Sequence, residues 1–185
     1  DWFRVVQLYR LASGISDQQL QVAYREIGNH FANLKAWESA REYYEKAHYV
    51  EGLMETFYHL EKYDELESLI GKLPEKSPLL GKLGQMLATV GLTEKSVEAY
   101  KKCGDIKSAV ATCVQLRQWG LAVELAQKYK MPSVNALLNK HAAHLLQEGK
   151  LPEAVELQKK AGRYLDASRL LMKLAEREIE KKSSF

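Results

Sequence analysis

The sequence predicts an all-α fold, an α-solenoid built from stacked antiparallel helical hairpins. Apolar residues recur at intervals of three and four almost throughout, which is the period of an α-helix. No sustained alternation and no Asn-Gly turn indicates a β-hairpin. The segment KAWESAREYYEKA at 35–47 recurs as LTEKSVEAYKKC at 92–103 and, more weakly, as LPEAVELQKKA at 151–161. A segment that recurs at a nearly constant spacing indicates a repeat, and helical repeats stack into solenoids.

The recurring motif places a small residue on each side of an aromatic one. The second copy follows the first by 56 residues, and the third follows after a further 58. The three sets are Ala40, Tyr44 and Ala47; Ser96, Tyr100 and Cys103; and Ala154, Gln158 and Ala161. In the third set Gln158 replaces the aromatic residue. Helix packing explains the motif, so we expect the following residues to be mostly buried: Trp37, Ala40, Tyr44, Tyr100, Trp119 and Ala154.

Proline and glycine divide the periodic pattern into twelve predicted helices. Pro74 and Pro78 bracket a loop, and Pro152 suits a first turn, where its missing N–H costs nothing. Four glycines stand where a helix C-terminus favours a left-handed residue: Gly91, Gly104, Gly149 and Gly162. The predicted helices span residues 1–12, 17–33, 37–48, 51–60, 63–72, 77–90, 93–103, 106–116, 119–129, 133–148, 152–161 and 163–181.

One repeat unit contains four helices, or two hairpins. The predicted units cover 17–72, 77–129 and 133–181. We expect 1–185 to form a single solenoid segment of a longer protein, because the sequence opens inside an amphipathic helix without an initiator Met. In the first hairpin, Gly28 lies on the first helix and Ala40 on the second. Because both residues are small, the two helices can approach closely there. This alternation of small and large residues resembles the tetratricopeptide repeat.

Composition excludes several classes of protein. The formal net charge is +3, with 46% hydrophobic and 28% charged residues, so no strong basic balance predicts a nucleic-acid partner. No run of about 18 apolar residues predicts a membrane span. Cys103 and Cys113 are too few for a disulfide framework, which favours a reducing compartment.

No arrangement of residues predicts catalysis. The sequence has no Gly-rich phosphate loop and no nucleophile elbow. His141 and His144 have a spacing that can hold a metal, but a site needs further ligands, and helix packing is the alternative role for both. We therefore predict no catalytic, cofactor or metal site, and no enzyme.

A helical array without catalytic groups is expected to act as a binding surface. By analogy with tetratricopeptide repeats, the first helix of a hairpin lines that surface, where Arg25, Asn29 and Asn33 lie one turn apart. Such a row suits a peptide carboxylate or backbone. An acidic group is the second candidate: Glu61, Asp64, Glu65 and Glu67. A hydrated helix face remains the alternative for both sets.

Several long stretches carry a more specific resemblance: DWFRVVQL, IGNHFANLKAWESAREYY, KKCGDIKSAVATCVQLRQWGLAVELA and HLLQEGKLPEAVEL. They resemble the C-terminal helical part of the WD-repeat plus tetratricopeptide-like subunits of intraflagellar transport complex A. The resemblance implies a non-catalytic scaffold for retrograde ciliary transport, for cilium assembly and for admitting membrane proteins to the cilium.

The resemblance also implies partners and a location. The partners would be other complex A subunits, with ciliary membrane cargo or adaptors, and no cofactor is implied. The location would be the cilium or flagellum, the basal body and the cytoplasm. A coatomer-like vesicle-coat scaffold is the alternative, because its architecture is similar.

Overall fold

A computed structural model describes residues 2–11 and 16–183, and these ranges form twelve α-helices with no strand. The all-α fold class predicted from the sequence is confirmed, and the helix bounds lie within about two residues of those predicted. The ends predicted for the first helix, at residues 1 and 12, lie outside the described residues. In chain order the helices are α1 (Trp2–Leu11), α2 (Asp17–Asn33), α3 (Trp37–Lys46), α4 (Val50–His59), α5 (Tyr63–Lys72), α6 (Pro78–Thr89), α7 (Thr93–Cys103), α8 (Ile106–Gln115), α9 (Trp119–Lys128), α10 (Val134–Gln147), α11 (Leu151–Lys160) and α12 (Tyr164–Ser183).

The chain divides into two compact units, 1–105 and 106–185. In the first unit each helix packs on the next one, and α4 also contacts α2 and α6. In the second unit α8 packs on α9, and α10, α11 and α12 follow in the same manner. Neighbours in sequence are thus neighbours in space, as a solenoid requires. The grouping into three four-helix repeats and one continuous segment stays a prediction.

Tyr44 of α3 is wedged between glycines of two other helices. Its side chain is 3% exposed. A Cβ built on Gly28 of α2 would lie 2.6 Å from the ring, and one on Gly52 of α4 would lie 2.8 Å from it. The hydroxyl donates a hydrogen bond to Oδ1 of Asn29 at 3.0 Å. One aromatic side chain therefore sets the spacing of three helices.

The second copy repeats this contact with an added hydrogen bond. A Cβ on Gly84 of α6 would lie 3.0 Å from the ring of Tyr100 on α7. Ser96, which takes the place of Ala40, donates its hydroxyl proton to the carbonyl oxygen of Gly84 at 2.7 Å. The bond satisfies a buried hydroxyl at a position where the first copy has only a methyl group.

The expected burial is confirmed. The two alanines and two tyrosines are buried: Ala40, Ala154, Tyr44 and Tyr100. Trp37 and Trp119 are partly exposed, but most of each residue is covered. Trp37 stacks on the imidazole of His59, with ring centroids 4.0 Å apart, and Trp119 lies nearly parallel to the imidazole of His141 at 6.4 Å.

Corresponding turns of the repeat share one backbone conformation. Each has a residue with positive φ between two helices: Lys35, Gly91 and Gly149; His48, Gly104 and Gly162; and Glu61 and Arg117. After Lys35, the Ala36 N–H donates to the carbonyl of Phe31 at 2.9 Å. The N–H of Lys35 itself donates to the carbonyl of Ala32 at 2.9 Å. This is a Schellman motif, which satisfies carbonyls at the end of the helix. The predicted role of the four glycines is confirmed.

Replacing Gly28 by Ala should destabilise the fold, because the new methyl group meets the Tyr44 ring, which Gly52 supports from the other side. The expected loss is about 1–3 kcal/mol in the free energy of unfolding, measured by urea denaturation. Gly81→Ala is the control, since nothing lies within 4 Å of its added Cβ, and it should gain up to about 1 kcal/mol. Equal effects of the two substitutions would contradict the wedge.

Placing lysine at the glycine turn should destabilise the fold, whereas placing glycine at the equivalent lysine turn should not. Lys35 has φ 58° and Gly91 has φ 85°, and a side chain in this region costs roughly 1–2 kcal/mol. We expect Gly91→Lys to lower Tm and Lys35→Gly to raise it or leave it unchanged, in thermal unfolding followed by circular dichroism. A lower Tm for Lys35→Gly would show that the Lys35 side chain stabilises its turn.

Candidate docking surface

Two of the three α2 residues predicted to bind a partner make contacts within the chain. Asn29 is half-buried, and its Oδ1 accepts the bond from Tyr44. Arg25 lies 3.5 Å from a carboxylate oxygen of Glu26, and its guanidinium lies 5.7 Å from the ring centroid of Tyr49. Asn33 is exposed. Of the three residues, Asn33 and the half-exposed guanidinium of Arg25 are the groups that a partner can reach.

Helix α1 adds a wall that the sequence did not predict. A cleft of about 400 Å³ lies between α1 and α2, where Trp2 and Phe3 face Ile27, Asn29 and Asn33. Trp2 is 44% exposed and Phe3 is 42% exposed. The two asparagines therefore share a cleft with exposed aromatic rings. The signal in the sequence is the pair of large apolar residues at the start of α1.

A charge network runs beside this row across α4 and α6. Nζ of Lys82 lies 2.9 Å from Oε1 of Glu51 and 2.8 Å from Oε1 of Glu55. The Tyr49 hydroxyl donates to Oε2 of Glu51 at 3.2 Å. The Lys82 hydrogen bond lowers the pKa of Glu51, and burial together with Glu51 raises the pKa of Tyr49. Sequence reasoning missed this network because Lys82 lies far along the chain from both carboxylates.

The acidic group does not form a single face. Glu61 lies in the α4–α5 turn, while Asp64 and Glu65 are exposed in the first turn of α5, where the helix dipole favours negative charge. Glu67 is half-buried, and its Oε2 lies 3.9 Å from Nζ of Lys95. Glu67 therefore points towards α7, and the other three remain accessible to a partner.

The residues considered for metal or thiol chemistry sit in packed surroundings. His141 and His144 both contact the ring of Trp119, and burial followed by the charge of His144 lowers the pKa of His141. Burial raises the pKa of Cys113 to about 11, which disfavours the reactive thiolate. Across 2–11 and 16–183, no cluster of three or more His, Cys, Asp or Glu side chains could hold a metal ion.

Within the described part of the chain, none of the helices combines the length and apolar character needed to cross a bilayer.

Stacked hairpins with small–aromatic contacts define the class of this protein, an α-solenoid of the tetratricopeptide type. A family model for the tetratricopeptide repeats of WD repeat-containing protein 35 matches residues 132–184. WD repeat-containing protein 35 from Rattus norvegicus and from Homo sapiens are each 43% identical to the chain over 184 residues, or 99% of the chain. The chain spans 16% of the length of these relatives. The resemblance to this protein, inferred from the sequence, is confirmed.

Removing the Lys82 ammonium should raise the pKa of Glu51. A carboxyl with a lowered pKa stabilises the fold above its unfolded pKa, and this contribution is lost as the pH falls through the folded value. Lys82→Met should therefore move the Glu51 pKa up towards its ordinary value of 4.5 and weaken the loss of stability on acidification. Carboxyl ¹³C NMR titration measures the shift, with Lys101→Met as the control. An unchanged Glu51 pKa in Lys82→Met would contradict the assigned cause.

Proposed function

We propose that this chain is a non-catalytic scaffold segment of intraflagellar transport complex A. It serves retrograde ciliary transport, cilium assembly and the admission of membrane proteins to the cilium. One observation carries the proposal: the 43% identity to WD repeat-containing protein 35 extends over 99% of the chain. The family match also describes a helical repeat and no enzyme, which supports a non-catalytic role.

The partners in this proposal are other complex A subunits, together with ciliary membrane cargo or adaptors. The protein then acts in the cilium or flagellum, at the basal body and in the cytoplasm. A vesicle-coat scaffold has a similar architecture and is the competing function. Co-purification with coat subunits instead of complex A subunits would favour that alternative.

Two surfaces are the proposed docking sites. The first is the α1–α2 cleft with Asn33 and the neighbouring Arg25. The second is the exposed acidic set Glu61, Asp64 and Glu65. Asn29 and Glu67 border these surfaces, but each has an internal partner at 3.0 Å and 3.9 Å. Substituting either one changes an internal contact as well as the surface.

Two variants separate docking from folding, with the tagged chain expressed in ciliated cells. One carries Arg25→Ala and Asn33→Ala. The other carries Glu61→Lys, Asp64→Lys and Glu65→Lys. Exposed interface charges affect association and register more than the fold. We expect both variants to keep a near-normal Tm, and at least one to lose a complex A subunit on co-purification.

The matched control reverses three exposed carboxylates elsewhere, at Glu124, Glu153 and Glu156. It makes the same change in net charge as the acidic variant and should retain every partner. Retention of all partners by both docking variants would reject these two surfaces. Absence of every complex A subunit from the wild-type purification would reject the complex A assignment itself.

A further inference from the structure

The contact between α9 and α10 places two histidines against one tryptophan. The indole of Trp119 on α9 lies nearly parallel to the imidazole of His141 on α10, with ring centroids 6.4 Å apart. The ring centroid of His144, also on α10, lies 5.9 Å from that of the same indole. All three residues belong to the second compact unit. Histidine is the side chain whose charge ordinarily changes between about pH 5 and 8, so the charge at this contact depends on the pH.

Two ring nitrogens of this contact are buried without a partner. Nε1 of Trp119 and Nδ1 of His141 make no hydrogen bond to the described residues. When an imidazole carries two protons, both of its nitrogens are donors, and the Nδ1–H of His141 then has no protein acceptor and no contact with bulk solvent. A buried donor without an acceptor costs free energy, and the cost is greater when the group is charged. The fold therefore disfavours the charged form of His141.

Charged groups approach the His141 ring from two helices, and they do not remove this penalty. They are His144 and Glu148 on α10, and Glu153, Glu156 and Lys160 on α11. From α9 the ring meets the uncharged indole of Trp119. Burial and then the charge of His144 lower the pKa of His141, and together they outweigh the opposing effect of Glu148 and Glu153.

The indole does not compensate for the buried charge. A cation gains from an aromatic face when it lies within about 6 Å of the ring centroid, and the His141 ring is farther away than this. His144 differs, because its Nε2 lies 3.6 Å from Oε1 of Glu148, so a proton there has a carboxylate partner. His59 stacks on Trp37 in the first unit, but it is exposed, so its charged form stays hydrated.

We propose that His141 makes the α9–α10 contact pH-sensitive, stable at neutral pH and weakened in mildly acidic solution when the imidazole takes up a proton. Protonation does not require unfolding, because the His141 ring also lines an open groove of about 400 Å³ with Leu145, Pro152 and Leu157. This property goes beyond the scaffold function proposed above and does not depend on which partners the chain binds.

The direction of the pH dependence follows from the lowered pKa of His141. The unfolded chain binds the proton near the ordinary pKa of 6.5, whereas the folded chain binds it only at a lower pH. The contribution to stability is therefore complete above this ordinary value and falls as the pH drops towards the folded pKa. Below the folded pKa both states carry the proton, and the contribution changes no further.

An NMR titration of the imidazole signals in the full 185-residue chain tests the assignment to His141. We expect its midpoint below the ordinary value of 6.5. His144→Gln should move this midpoint upwards, because the opposing charge is lost. The Nε1–H signal of Trp119 reports on the contact itself, and it should change with the same midpoint as His141.

Thermal unfolding at about pH 7.5 and about pH 5.5, on either side of the histidine range, tests the effect on stability. The wild type should have a lower Tm at the acidic pH, and His141→Gln should reduce this fall by at least half. Each variant is compared with itself at the two pH values, so a general loss of stability does not affect the result. His59→Gln is the matched control, since it removes the other histidine stacked on a tryptophan, and it should keep the fall.

Three outcomes would overturn the proposal. They are a His141 midpoint at or above its ordinary value, a Trp119 signal that does not follow the titration of His141, and an equal fall in Tm for the wild type and His141→Gln. If His141→Gln does not fold, the two signals of the wild-type titration still decide.

Discussion

The contact of the Tyr44 ring with the backbones of Gly28 and Gly52 is the constraint on which the first unit depends. Because neither glycine has a side chain, the ring touches main chain on both sides, and no rotamer change can relieve a closer approach. The bond to Asn29 then anchors the hydroxyl end of the ring. Three helices acquire their spacing from one side chain, so the polar groups on the outer face of α2 are held at set positions before any partner arrives.

The turns carry the second constraint, and some of them need no side-chain cap. Ala36 and Lys62 each follow a left-handed residue and are the N-caps of the next helices, and neither side chain makes a cap bond. The Schellman bonds end one helix, and the next helix begins a few residues later. Because the backbone supplies these bonds, residues as different as Lys35, His48 and Glu61 occupy the left-handed position. Such a turn requires a particular backbone conformation, but it accepts many different residues at the left-handed position.

The sequence predicts the features that depend on a single segment of the chain. Helical period and proline placement define the helices, since both act within one segment of chain. Contacts between distant segments were not predictable. The ammonium of Lys102, in the last turn of α7, donates to the carbonyl of Ile70 near the end of α5. Asn29 and Glu67 were candidates for partner binding, but their internal partners come from α3 and α7. Spacing within one helix does not reveal which neighbour uses a polar side chain.

The third copy of the motif shows that the three positions around the ring depend on one another. Ala142 and Asp166 carry side chains where Gly28 and Gly52 have none, and a Cβ at either glycine would lie within 2.8 Å of the Tyr44 ring. The third copy has no ring, and Gln158 is buried there at 4% exposure. A side chain without a ring is thinner, so it leaves room for the side chains that replace the two glycines. The aromatic residue and the glycines of a copy therefore form one packing unit, and exchanging one of them without the others would leave either a clash or a gap.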